Sequence, residues 1–117
     1  MTNIKIWHNP KCSKSRAALE LLESNNCKTE VIKYLEDTPS INEIKEVLSM
    51  LKTDARKLMR SKEDLYVQLN LGNETLSQDE LIKAMNENPK LIERPVVIKD
   101  GCAAIGRPIE NIISLIK

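Results

Sequence analysis

Phenylalanine is absent from this 117-residue chain, and one Trp and two Tyr bring the aromatic content to only 3%. Three separated rings, Trp7, Tyr34 and Tyr66, make no stacking platform for nucleobases. An excess of charge is also missing: 18 Lys and Arg stand against 17 Asp and Glu, a formal net charge of +1. That balance leaves no electrostatic footprint for nucleic acid or an acidic membrane. No apolar run approaches the roughly 18 residues of a membrane span, and no signal-peptide apolar core follows Met1–Lys5. The expectation is therefore a cytoplasmic protein without nucleic-acid or membrane partners. One histidine and three distant cysteines offer no metal-ligand spacing, so neither a metal nor a bound cofactor is expected. Cys12, Cys27 and Cys102 are odd in number and far apart, which argues against a disulfide framework.

What is present is enough for one globular domain. The apolar set is 41% and the charged set 30%, outside the disordered range. Asn3–Trp7 alternates polar and apolar residues as a strand does. From Ser13, Ala17, Ala18, Leu21 and Leu22 follow helical spacing, and Ser24-Asn25-Asn26 ends the run. Residues 29–35 supply a second strand, closing a β-α-β unit that should be parallel and right-handed. Capping boxes at Ser40/Glu43 and Ser77/Glu80 open two helices. Between them, the pattern predicts a helical turn over residues 54–59 and a helix over 62–69. Strands return at residues 95–99 and Cys102–Ile105, joined by the hairpin signal Asp100-Gly101. A final helix is expected over residues 108–116. Residues 1–117 thus read as one α/β domain, β-α-β then β-β-α. It has a mixed four-stranded sheet and a helical insertion over about residues 40–87.

The chemistry concentrates in His8-Asn9-Pro10-Lys11-Cys12-Ser13-Lys14-Ser15-Arg16. Cys12 falls where a strand passes into a helix N-terminus, whose unpaired N–H groups and dipole favour a thiolate and bind oxyanions. Ser13 and Ser15 offer hydroxyl donors, and Lys11, Lys14 and Arg16 add positive field. His8 is either a further positive charge near the thiolate or a turn residue with a local hydrogen bond. Cys27 and Cys102 have no such surroundings and read as packing or incidental thiols. A second constellation is Glu93-Arg94-Pro95-Val96 with Ile105-Gly106-Arg107-Pro108. Its two arginines should share one end of the sheet, with forks suited to a tetrahedral oxyanion. Pro95, directly before a strand, is a candidate cis-proline.

These two segments, with Leu91-Ile92 preceding Glu93, closely resemble the glutaredoxin-coupled arsenate reductase family, and the resemblance spans essentially the whole chain. It implies a thioredoxin-like fold with a helical insertion. It also implies reduction of arsenate to arsenite, with glutathione as co-substrate and glutaredoxin as partner, in a monomer. Cys12 matches the family's nucleophile, and Arg94 and Arg107 match two of its three oxyanion-binding arginines. Arg60, in Leu58-Met59-Arg60-Ser61, matches the third, and nothing but the resemblance selects it over Arg56. Ser15 and His8 match positions that support the thiolate. The motif here is Cys12-Ser13-Lys14-Ser15, similar to the chromosomal branch, where other members of the family read Cys-Gly-Thr-Ser. Two alternatives stand beside arsenate reduction: a thiol reductase of another substrate, and a non-catalytic Spx-like regulator that binds a partner. The missing second cysteine of a C-x-x-C switch weighs against the regulator.

Overall fold

The computed structural model describes residues 3–116. In chain order the elements are β1 (Asn3–Trp7), α1 (Ser13–Ser24), β2 (Lys28–Ile32), α2 (Ile41–Leu51), α3 (Asp64–Gln68), α4 (Gln78–Glu87), β3 (Val96–Lys99), β4 (Cys102–Ile105) and α5 (Glu110–Ile116). Short 3-10 turns cover Ala55–Leu58 and Pro89–Leu91. They form two compact units, one drawn from both ends of the chain (up to Asp37 and from Arg94) and one from Thr38–Glu93.

The first unit carries the mixed four-stranded sheet, in the order β2-β1-β3-β4. The pair β1–β2 is parallel, as a β-α-β unit requires, while β1–β3 and β3–β4 are antiparallel. This is the expected fold class. Ile4 and Ile6 of β1 and Val97 of β3 meet Ala18 and Leu22 of α1 and Ile112 of α5 in one apolar core. Each large side chain fully buried there stabilises the fold by roughly 1.5–3 kcal/mol. The inward stripe of α1 runs through Ser15, Ala18 and Leu22, while Ala17 is exposed. A polar residue therefore sits on the buried face, next to Cys12. The β3–β4 hairpin turns through Asp100 (φ 48°) and Gly101 (φ 78°), the two positive φ values that a tight primed turn demands.

Some boundaries differ from the sequence pattern for local reasons. The strand expected over 29–35 ends at Ile32, because the Lys33 carbonyl accepts turn bonds from the N–H groups of Glu36 and Asp37 (2.9 and 2.8 Å). Tyr34 stays buried without belonging to the ladder. The helix expected over 62–69 is the single turn and a half of α3, none of whose residues is buried. The last helix starts at Glu110 instead of 108, after a turn in which Asn111 N–H donates to the Pro108 carbonyl.

The second unit is helical. Both capping boxes form, Ser40 with Glu43 and Ser77 with Glu80. Behind them α2 buries Ile44, Val47 and Leu48, and α4 buries Leu81, Ile82 and Met85. Arg56 ties the connecting segments together, its guanidinium donating to Tyr66 Oη and to the carbonyls of Leu71 and Asn73. Among the described residues no helix is long and apolar enough to cross a membrane.

Candidate active site

The site is built at the passage from β1 into α1. After Trp7 the chain turns on Asn9: its carbonyl accepts from Cys12 N–H (3.0 Å), and its Oδ1 accepts from Lys11 N–H (3.0 Å). That turn delivers Cys12 to the N-cap of α1, in extended backbone geometry. The sulfur forms no cap bond of normal geometry, and the first turn of the helix holds no acidic residue. The helix start is thus left without a carboxylate of its own, in a place where exposed N–H groups favour negative charge.

Two arginines complete the surroundings. Arg94 and Arg107 flank the β3–β4 hairpin, and Arg107 Nε donates to the Arg94 carbonyl (2.7 Å). Arg107 Nη2 lies 3.6 Å from Cys12 Sγ. The backbone that carries them is closely fitted. The Arg94–Pro95 and Arg107–Pro108 peptides are both cis. Gly106 N–H donates to the Pro95 carbonyl (2.9 Å). A Cβ at Gly106 would lie 2.6 Å from Ile112 Cδ1 and 2.8 Å from Pro95 Cγ, so only glycine allows this approach. The sequence reading placed Gly106 in the second constellation without assigning it this packing role.

Cys12 is 9% exposed, more enclosed than its Lys and Ser neighbours implied. Burial pushes its thiol up, but the Ser15 and Lys14 N–H groups and the adjacent Arg94 guanidinium outweigh it, and the net direction is down. The site stabilises a thiolate.

Ser15 and His8 take part differently from the sequence reading. The Ser15 hydroxyl is buried, and its hydrogen-bond partners are His8 and Asn9. Its Oγ lies 2.7 Å from His8 Nδ1 and accepts from Asn9 N–H (3.0 Å). Ser15 faces the sulfur with its backbone N–H instead. Of the two readings of His8, the structure carries the local hydrogen bond. The ring is 6% exposed, and burial, Lys33 and Arg16 together hold its pKa below the ordinary value. His8 is therefore neutral at pH 7 and adds no positive charge. With Nε2 protonated, its Nδ1 accepts the Ser15 O–H, which gives that buried hydroxyl a partner. Arg16 is also diverted, donating to the Pro10 carbonyl (3.0 Å).

The remaining candidates are Arg60, Cys27 and Cys102. Arg60 belongs to the second unit, where it pairs with Glu63 (3.1 Å) and donates to the Lys90 carbonyl (3.5 Å). Cys27 packs against the apolar core and Cys102 is exposed, each a free thiol. Among the described residues no three of His, Cys, Asp and Glu converge to hold a metal. A low-pKa thiol, two guanidinium groups and a helix start at one point suit nucleophilic attack on a bound tetrahedral oxyanion.

Residues 7–115 match the model of the ArsC family. The chain belongs to the ArsC family. An arsenate reductase of Neisseria meningitidis serogroup A is 50% identical to it over 113 residues, which cover 96% of this chain and 97% of that protein. An arsenate reductase of Haemophilus influenzae is 44% identical over 115 residues, covering 97% and 99% of the two chains. Among solved structures, an arsenate reductase from Vibrio cholerae superposes with a TM-score of 0.94 at 50% identity, covering 97% of each chain. The ArsC fold is thioredoxin-like, and the four-stranded sheet with its helical unit conforms to it.

Proposed function

We propose that this protein reduces arsenate to arsenite, with the Cys12 thiolate as nucleophile and glutathione and glutaredoxin as the electron source. The observation that carries the reading is the meeting of Arg107 Nη2 with Cys12 Sγ at 3.6 Å, at the start of α1. An oxyanion held by that fork is placed against the sulfur that attacks it. The similar proteins named arsenate reductase support arsenate as the oxyanion.

In the proposed sequence Cys12 sulfur attacks arsenic(V), an S–As bond forms, and one arsenate oxygen leaves as water with protons from solution. A glutathione thiol then attacks the Cys12 sulfur. An S–S bond forms, the S–As electron pair passes to arsenic, and arsenite departs as arsenic(III). Two sulfurs have together lost the two electrons that arsenic gained. Glutaredoxin's thiol takes the glutathione from the mixed disulfide and returns the Cys12 thiolate. The arginines and helix N–H groups hold the oxyanion, and the same groups favour the thiolate. The resemblance adds Arg60 to the oxyanion set and a monomeric, cytoplasmic protein to the proposal.

The test is arsenite production by the purified protein with glutathione, glutaredoxin and arsenate, run beside a disulfide substrate. Turnover of arsenate is expected, abolished by Cys12→Ser and largely retained by Cys27→Ser and Cys102→Ser. Reduction of the disulfide alone would move the protein to the thiol-reductase alternative. Loss of arsenate turnover in a folded Cys27→Ser or Cys102→Ser protein would reveal an internal resolving thiol and overturn the single-cysteine scheme.

A further inference from the structure

Within the second unit, the residues around Arg60 are seated on the segment that precedes Arg94 in the chain. Met59 bridges Ile92, Arg60 N–H donates to the Leu91 carbonyl (2.8 Å), and Glu93 N–H donates to the Leu58 carbonyl (2.6 Å). Leu58, Met59, Leu91 and Ile92 are all buried, which fixes the backbone that carries Arg60. The chain then turns back on itself, with Glu63 N–H donating to the Arg60 carbonyl (3.1 Å). Glu63 occupies the N-cap of α3, yet its side chain makes no cap bond. Its Oε2 lies 3.1 Å from Arg60 Nη1 instead. With side chains 28% and 24% exposed, this pair is shielded, whereas Lys45 and Asp79 (3.5 Å) meet in open solvent at 50% and 82%. The other bond of the Arg60 side chain, to the Lys90 carbonyl, also uses Nη1. Nε and Nη2 carry none among the described residues. Those two donors run parallel along one edge of the guanidinium and suit two oxygens of an oxyanion.

We infer that Glu63 is a positioning residue for oxyanion binding: it holds Arg60 by Nη1 and keeps the Nε–Nη2 edge for the anion. A long side chain loses rotamer freedom when it closes on a ligand, and one already held does not lose it at that step. Carboxylate and oxyanion use different edges of the guanidinium, so they do not compete for the same donors. The inference rests on the reading that places Arg60 in the oxyanion set.

Sulfate protection of Cys12 from iodoacetamide tests it without turnover, at constant pH and ionic strength, in the Cys27→Ser, Cys102→Ser protein so that one thiol is labelled. The quantity read is the sulfate concentration that halves the labelling rate. Glu63→Ala should raise it by about fivefold, the scale of one partly exposed charge pair. Arg60→Ala should raise it at least as much, and adding Glu63→Ala to Arg60→Ala should change nothing further. Glu63→Gln keeps an acceptor oxygen for Nη1 and should retain most of the protection, a rescue that a general loss of structure would not give. An unchanged or lower concentration in Glu63→Ala, with Arg60→Ala weakened, overturns the inference and leaves Arg60 in place. An equal Glu63→Ala effect in the Arg60→Ala background overturns it too, because Glu63 would then act independently of Arg60. No effect of Arg60→Ala removes Arg60 from the oxyanion set and the inference with it. Failure of arsenate turnover with the expected protection pattern refutes the reductase reading alone and leaves the role of Glu63 standing.

Discussion

Helix α1 of the first unit and helices α2 and α4 of the second start on opposite plans. In the second unit, Ser40 and Ser77 accept from the N3 N–H groups of α2 and α4, and Glu43 and Glu80 accept in return from the cap N–H. These termini are closed by their own side chains, with carboxylates already in the first turn. At α1 the cap position holds Cys12, no side-chain cap bond forms, and the first turn has no acid. A closed helix start gives stability. An open one gives up part of that stability and keeps its N–H groups for a thiolate or an oxyanion. The arginines divide in the same way. Arg56 spends its guanidinium on three acceptors within its own unit, whereas Arg107 anchors through Nε to the Arg94 carbonyl and turns Nη2 to the sulfur.

The largest effects expected from this contrast follow exchange of the arginines. Arg94→Lys and Arg107→Lys keep a charge and lose the fork, so kcat/KM for arsenate should fall roughly 10- to 100-fold, the scale of one or two charge-assisted hydrogen bonds. Urea midpoints should move little. Arg56→Lys should do the reverse, lowering stability by about 1–3 kcal/mol while folded molecules keep their turnover. Equal kcat/KM in all three variants would erase the distinction. Arg60→Lys joins the first group if Arg60 takes the role the resemblance gives it.

The second effect concerns the open helix start. Iodoacetamide labelling of Cys12 as a function of pH should give a pKa below the ~8.5 of a free cysteine. The thiolate predominates above that pKa and is lost as pH falls through it, so labelling at pH 7 should exceed that of an ordinary thiol. Sulfate at constant ionic strength should occupy the same N–H groups and guanidinium groups, raise the apparent pKa and slow labelling. A pKa at or above 8.5 that sulfate does not move would make Cys12 an ordinary thiol.

The smallest effect belongs to the closed starts. Ser40→Ala and Ser77→Ala should each cost about 1 kcal/mol in urea unfolding, within the 0.5–2 kcal/mol known for caps. Neither should change the Cys12 labelling profile. Cys12→Ala removes a thiolate held by the Ser15 and Lys14 N–H groups, so its cost should shrink as pH falls through the Cys12 pKa, whereas the two serine variants should show no such pH dependence.

Much of the fold was legible because its signals are local. Alternation marked β1, Asp100-Gly101 marked the hairpin, and Ser-x-x-Glu marked α2 and α4, each within a few residues. Where the pattern failed, a bond outside it decided the end. The run of apolar residues through Tyr34 continued past the point where the Lys33 carbonyl turned the chain. Similarly, residues 62–69 have helical spacing, yet α3 keeps only five residues and buries none of them.

The candidate site was legible in part. The sequence by itself determined that a cysteine lies at a helix start without acidic company, and that two Arg–Pro segments bracket a hairpin. Residue type and chain neighbours suffice for both. Only the tertiary structure decided that Arg107 reaches the sulfur, since the two residues are 95 positions apart and their approach depends on strand pairing and on the glycine contact at Gly106. It also decided that His8 is buried against the Ser15 hydroxyl, with its pKa held below the ordinary value. A histidine's charge is set by what surrounds it. Here burial, with Lys33 and Arg16 nearby, disfavours the positive charge that was one of the two readings of a histidine four residues before Cys12.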